Sequence, residues 1–336
     1  MSGRLVTQNA LRALLYREAV RRGATRLPYA PFTVYIDPAN ACNLRCTFCP
    51  QSGWQGGRRG RMAWDTFEHV LPQAAELKPD WVFLFCFGEP LLHDRLPEMI
   101  RAAGEAGMRV RIHTNGLLMT DAMAERLVEA DLAECRFSFD TADRALYERM
   151  RQGGDFDRAV AGIRALVAAR DRLGRRRPEV ILQELVPYEA GARAANTAAY
   201  RDLFVGLDVR LKAKFMHSFA GQGREREFAG QQAEGRSYCS QLYRRIVVNF
   251  DGKVHACCLD PFGHNVVADL AAGDTLAEAW NSAGMQALRD RTNRGDVAGL
   301  APCEGCEMLA RSARRTPALT AAAARAAWAC LGRGCG

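Results

Sequence analysis

Residues 41–50 read ACNLRCTFCP, which places Cys42, Cys46 and Cys49 within eight residues. A structural zinc site or a closed iron–sulfur cluster takes four protein ligands, and this run stops at three. A metal group held here either draws a fourth ligand from elsewhere or keeps one position open. The residues just before it, FTVYIDP (32–38), form a β-branched and aromatic run that reads as a strand. The cysteines therefore sit on the loop that leaves a strand.

Working outward, strands and helices alternate. A helical pattern spans Trp64–Leu77, and the apolar run WVFLFCFGEP (81–90) reads as a strand buried on both faces of a parallel sheet. Helices are expected over Arg95–Gly107, Asp121–Ala130, Phe156–Leu173 and Asn196–Phe204. They are separated by the strands RVRIHTNG, ECRFSFD, EVILQEL and DVRLKAKF. About six βα units result, fewer than the eight of a closed barrel. The polar tips Gly88-Glu89-Pro90, Thr114-Asn115-Gly116 and Ser138-Phe139-Asp140 fall, like the cysteine loop, where strands end. α/β barrels assemble their sites at those ends.

Beyond about residue 220 the character changes. GQGREREFAGQQAEGRS (221–237) is polar and reads as a linker, and RRIVVNFDGKVHACC (244–258) reads as a hairpin turning at Asp251-Gly252. A helix over Thr275–Arg291 and the sequence PCEGC (302–306) follow. The expected divisions are a helix in residues 1–30, an α/β core over 31–225, a small unit over 226–312 and a tail helix over 313–336.

The 336-residue chain carries 46 Lys and Arg against 38 Asp and Glu, a formal net charge of +8. Much of that excess falls in loop-like runs such as GGRRGRM and LGRRRPE, with no interleaved aromatic residues to stack bases. Nucleic acid is therefore not the expected partner. The N-terminus is a basic amphipathic pattern without an apolar signal region, and no apolar run reaches membrane-spanning length. The expected location is the cytoplasm, where twelve cysteines read as metal or catalytic sites before disulfides.

The CxxxCxxC spacing at the end of the first strand of a βα series resembles the signature of the radical S-adenosylmethionine (SAM) superfamily. Zinc completed by a distant residue is the alternative on spacing alone. The resemblance implies that Cys42, Cys46 and Cys49 hold three irons of a [4Fe–4S] cluster whose fourth iron binds SAM. It also implies an aromatic against adenine at Phe48, and a GGEP-type motif at Gly88, Glu89 and Pro90, with Phe87 in place of the commoner glycine. Asn115, Ser138, Asp140 and Gln183 stand where relatives contact the SAM carboxylate or ribose; turn and capping chemistry would favour most of them regardless.

Cys239, Cys257, Cys303 and Cys306 supply four further thiolates, enough for a closed cluster or a zinc ribbon. After a radical SAM core they resemble the twitch domain, the short relative of the SPASM domain, which implies one auxiliary [4Fe–4S] cluster. The implied architecture is α/β: a partial (β/α)6 TIM-type barrel with a small C-terminal β-hairpin/helix iron–sulfur (twitch) domain.

Relatives of this layout include dehydrogenases and epimerases of aminoglycoside biosynthesis. The resemblance therefore implies hydrogen abstraction from a carbinol carbon of an aminoglycoside-like small molecule, with reduction by a flavodoxin- or ferredoxin-type partner. Cys258, beside a cluster ligand, is the candidate hydrogen donor that would make the outcome epimerisation. If it faces away from the cavity, as period-2 alternation allows, dehydrogenation is the alternative. Modification of a ribosomal peptide is another, although only about thirty residues precede the first strand, where peptide-modifying relatives commonly carry a leader-recognition domain.

Overall fold

The computed structural model describes residues 2–53, 59–186, 196–215, 219–220, 222, 238–306 and 308–309. Nine strands form one open sheet in the order β6-β5-β4-β3-β2-β1-β7-β8-β9. The first six, β1 (Thr33–Ile36), β2 (Trp81–Phe83), β3 (Val110–Thr114), β4 (Glu134–Ser138), β5 (Glu179–Val186) and β6 (Arg210–Phe215), pair in parallel, each with the next. This is the expected open series of six βα units.

Helices α2 (Trp64–Glu76), α3 (Leu96–Glu105), α4 (Asp121–Glu129), α6 (Phe156–Arg172) and α7 (Asn196–Leu203) provide the crossovers, following α1 (Ser2–Arg22). Side-chain oxygens start several of them. Thr120 accepts the amide of Met123 at α4, and Asp155 accepts that of Arg158 at α6, satisfying donors that a helix start leaves open. Apolar residues such as Phe67, Met99, Ile100, Leu127 and Ile163 are buried and pack in one core with the outward face of the sheet.

The carboxy-terminal strands extend the same sheet. β7 (Arg245–Val248) pairs with β1 in parallel, Thr33 opposite Arg245 and Ile36 opposite Val248. β8 (Lys253–His255) and β9 (Val266–Asp269) add antiparallel neighbours. The turn at Asp251-Gly252 falls as expected, with Gly252 at φ +85°, a conformation that glycine adopts without steric cost. Arg289 is fully buried yet satisfied: it donates to the carbonyls of Leu242, Thr25 and Trp280, fastening the segment after α1 to the C-terminal unit.

Three sequence expectations change. The strand expected over residues 81–90 ends at Phe83, because the chain must leave the sheet for Gly88 to reach the loop after β1. The helix expected over Thr275–Arg291 is two, α8 (Leu276–Trp280) and α9 (Ala283–Arg294). Asn281 breaks it by bonding both the amide and the carbonyl of Leu27, and Ser282 caps the second helix. α5 (Arg144–Met150) and β9 had no counterpart in the sequence reading. Apart from Gln222, the linker over 221–237 lies outside the described residues, as does the tail over 313–336 with Cys330 and Cys335.

Candidate active site

The cysteine loop is held by backbone. The amides of Arg45 and Thr47 donate to the carbonyls of Gln152 and Met150, just after and at the end of α5, and Cys49 N donates to Cys46 O. The loop after β2 closes over it. Gly88 packs so tightly that an added Cβ would lie 2.2 Å from Ala39 O and 2.3 Å from Ala41 O, and Glu89 N donates to Ala41 O at 2.9 Å. Any larger residue at 88 would push the loop away.

The Glu89 side chain turns inward rather than toward open space. Its Oε1 accepts from Thr114 Oγ1 (2.7 Å) and Leu91 N (3.1 Å), and its Oε2 from Asn115 N (2.8 Å). Burial first raises its pKa, and those donors oppose the shift. Glu89 thus fixes the end of β3 to the loop after β2. Asn115 extends the lattice, its Nδ2 donating to Asn43 Oδ1 at 2.8 Å inside the cysteine loop.

A cavity of about 420 Å³ opens on the concave face of the sheet, lined by Cys42, Cys46, Cys49, Phe48, Gly88, Glu89, Asn115, Ser138, Asp140, Gln183 and Cys258. Every sequence candidate for the SAM site meets there except Pro90, which is buried in the short helical turn behind Glu89. Asp140 is not free. Arg151 pairs with its Oδ2 at 2.6 Å while Oδ1 stays buried without a partner. The same guanidinium lies 3.7 Å from Cys46 Sγ and 5.7 Å from the centre of the Phe48 ring. Sequence reading missed Arg151, which follows α5 and belongs to no motif. Another unflagged residue is Gln51, whose Nε2 bridges Asn40 O and Phe87 O.

Burial pushes the Cys42 thiol up to about 12 and Cys49 up to about 11, and raises Cys46 as well. Three such thiols become thiolates when positively charged iron compensates them. Leu44 N donates to Cys42 Sγ at 3.4 Å, support suited to a thiolate. Three thiols on one loop are soft donors short of the four that a closed site takes, a set suited to an iron–sulfur cluster with one iron left open. The trio therefore fits a cluster.

The second set is assembled from three segments. Cys239 is buried before β7, Cys257 follows β8, and Cys303 and Cys306 bracket a short helical turn. Cys257 lies within electrostatic reach of Cys239 and Cys306, and Cys303 within that of Cys239. Burial pushes Cys303 up to about 12. Leu259 N donates to Cys257 Sγ at 3.3 Å. These donors fit a second cluster by the same argument.

Cys258 is among the residues that line the cavity. Its Sγ stands 3.9 Å from Gln241 Oε1, near Arg245, which donates to the Tyr35 hydroxyl at 3.1 Å. A hydrogen bond with the Cys257 thiol first, and the Arg245 guanidinium next, hold Cys258 below the ordinary thiol range. Cys86 is also half-buried on this wall, while Cys135 is a core residue. No described helix is long and apolar enough to cross a membrane.

Comparison with known proteins agrees with this geometry. The radical SAM superfamily profile matches residues 36–172, and that of an iron–sulfur cluster-binding domain, SPASM, matches residues 239–307. A tungsten-containing aldehyde ferredoxin oxidoreductase cofactor-modifying protein of Pyrococcus furiosus is 29% identical over 54% of this chain and 51% of its own length. An AdoMet-dependent heme synthase of Methanosarcina barkeri is 30% identical over 41% of this chain and 39% of its own length. The chain thus spans about half, or less, of the curated relatives it matches.

Among solved structures, BtrN in complex with AdoMet and 2-DOIA superposes with a TM-score of 0.56 at 16% identity, over 82% of this chain and 92% of that one. SuiB of Streptococcus suis bound to the precursor peptide SuiA gives 0.62 at 15%, over 87% and 73%. At those identities the likeness is one of fold. The two profiles carry the assignment with their cofactors, SAM and two kinds of [4Fe–4S] cluster, the SAM-binding one and an auxiliary one. The chain thus carries a radical SAM domain, followed after its partial barrel by a SPASM/twitch domain.

Proposed function

We propose that this enzyme abstracts a hydrogen atom from a carbinol carbon of a small molecule held in the central cavity and returns one from Cys258 to the opposite face, giving epimerisation. Cys42, Cys46 and Cys49 would hold the SAM-binding cluster, and Cys239, Cys257, Cys303 and Cys306 the auxiliary one. Phe48, Gly88, Glu89, Pro90, Asn115, Ser138, Asp140 and Gln183 would form the SAM site, with Arg151 added. When bound and reduced, SAM supplies the carbon radical that removes the substrate hydrogen.

The observation that carries this reading is Cys258 on the wall of the cavity that also contains the cysteine trio. Hydrogen-atom return needs the Cys258 S–H, and Cys257, once committed to iron as a thiolate, would accept a hydrogen bond from it. The sulfur radical left behind regains one electron from a flavodoxin- or ferredoxin-type donor and one proton from solvent. Arg245 and Tyr35 hold the polar surroundings of Cys258 in place.

Dehydrogenation is the second reading. Leu259 and Met308, flanking the four-cysteine set, also line the cavity, so an electron could leave a substrate radical by that side. Turnover in D2O separates the two. Solvent deuterium at an inverted carbon, lost in Cys258→Ala, supports the thiol donor; a ketone product without deuterium replaces it with oxidation. The aminoglycoside-type substrate expected from the resemblance is narrowed by the charge of the cavity. Glu89 and Asp140 are the acidic side chains on its described lining, and both are engaged within the protein.

A further inference from the structure

One wall of the cavity is cationic. Arg111 on β3, Arg136 on β4, and Lys212 and Lys214 on β6 all line it. Register brings them together, since Arg136 pairs with His113 and Ile181, and Lys212 with Gln183. Glu134 compensates two of the four, pairing with Arg111 at 2.5 Å and with Arg136. Lys212 and Lys214 make no ion pair with a described residue and stand open to the cavity. Glu134 is thus the one described carboxylate that forms ion pairs with any of the four.

His113 sits among them. Its ring is stacked on Phe85 at 3.9 Å between centres, and its buried Nε2 has no partner. Burial first, and then Arg136, Lys214, Arg111 and Lys212, hold it neutral, well below the ordinary range. Lys212 is itself lowered first by Arg136. Such mutual repulsion costs stability, and an anion seated among the groups would relieve it.

The bound clusters do not account for this charge. Arg151 is engaged by Asp140 and Cys46, and Arg245 by the Tyr35 hydroxyl, so those two cations already have partners. The four on β3, β4 and β6 face the remaining space.

We propose that the enzyme selects an anionic substrate, with a carboxylate or phosphate seated among Arg111, Arg136, Lys212 and Lys214 beside His113. This rests on the radical SAM reading and specifies its substrate class. The anion fixes one end of the substrate, so the charge sets which carbon reacts. A polyamine would place like charges against this wall.

The test uses the anaerobically reconstituted, SAM-loaded protein and isothermal titration calorimetry with three probes: inorganic pyrophosphate, citrate and spermine. An anion should bind, its affinity falling with added salt, and the Lys212→Gln/Lys214→Gln protein should bind it about tenfold or more weakly. Preference for pyrophosphate identifies a phosphate-bearing substrate, and preference for citrate a carboxylate. Iron content of the double variant reports that both clusters still assemble.

Tighter binding of spermine, failure of both anions to bind, or anion affinity indifferent to the double substitution overturns the proposal. So does a loss of SAM affinity in place of anion affinity, which would mean that the lysines serve the cofactor. SAM cleavage by the wild-type protein on reduction is measured separately. Its absence would sink the radical reading itself.

Discussion

The two cysteine sets are built in opposite ways. The trio lies on one loop after β1, braced by backbone bonds and by the close approach of Gly88. The quartet is gathered from before β7, after β8 and the turn at 303–306. A local set can be short of a ligand by design, because its loop holds three thiols in place without a fourth. A dispersed set needs all four to pull its segments together. The open site is thus the one whose scaffold stands without metal.

Replacing one cysteine of each set gives the sharpest contrast. Cys46→Ala should abolish SAM cleavage and remove about half of the roughly eight irons that two clusters contribute. Cys303→Ala should remove a similar share while leaving measurable SAM cleavage and losing substrate turnover. It should also lower the thermal midpoint more, since the segments around Cys239 and Cys257 lose a common anchor. Iron analysis, deoxyadenosine yield and melting curves check this. Equal destabilisation by the two substitutions would erase the distinction.

The buried arginines differ in the same sense. Arg151→Met strands Asp140, whose carboxylate is almost wholly buried, and breaking such a pair costs about 3–5 kcal/mol. Arg245→Met removes a hydrogen bond to the Tyr35 hydroxyl, with a cost of about 1–2 kcal/mol. Adding Asp140→Asn to Arg151→Met should recover part of the loss. Denaturant melts of the four proteins measure each term, and a larger cost at Arg245 would reverse the ranking.

How much of this was legible follows from where the information lies. CxxxCxxC and GEP are contiguous, and strands alternating with helices announce a parallel sheet, so the barrel and the trio could be read directly. Arg151 lay beyond reach, because its partners Asp140 and Cys46 meet it only once α5 folds back on the cysteine loop. The cationic wall left a signal that went unused. RLKAKF alternates positive and apolar residues along a strand, which sets Arg210, Lys212 and Lys214 on one face. The sequence reading placed the basic excess in loops, whereas the charge that faces the cavity is on strands. The shortened β2 was hidden because its apolar run continues to Phe87 although the strand does not.

A pH-dependent effect tests the seam between the two halves. Asp37 follows β1, its amide donating to Val248 O of β7 and its Oδ2 accepting from Phe87 N, while Oδ1 is buried without a partner. Burial raises its pKa to about 8, against backbone donors from Phe87 and Cys86. A folded-state pKa above the unfolded one means a contribution present at low pH and lost as pH rises. The unfolded carboxyl ionises near its ordinary value while the folded one resists until about 8. The slope within that window is at most about 1.4 kcal/mol per pH unit for one group. Wild-type stability should therefore fall by about 1–3 kcal/mol between pH 5.5 and 8 from this residue, and Asp37→Asn should flatten that fall while changing little at the acid end. Because Asp37 touches both the loop that closes over the trio and the strand that leads to the quartet, iron release at pH 8 should slow for both clusters in the variant. Slower release from only one would place Asp37 within that half rather than at the join.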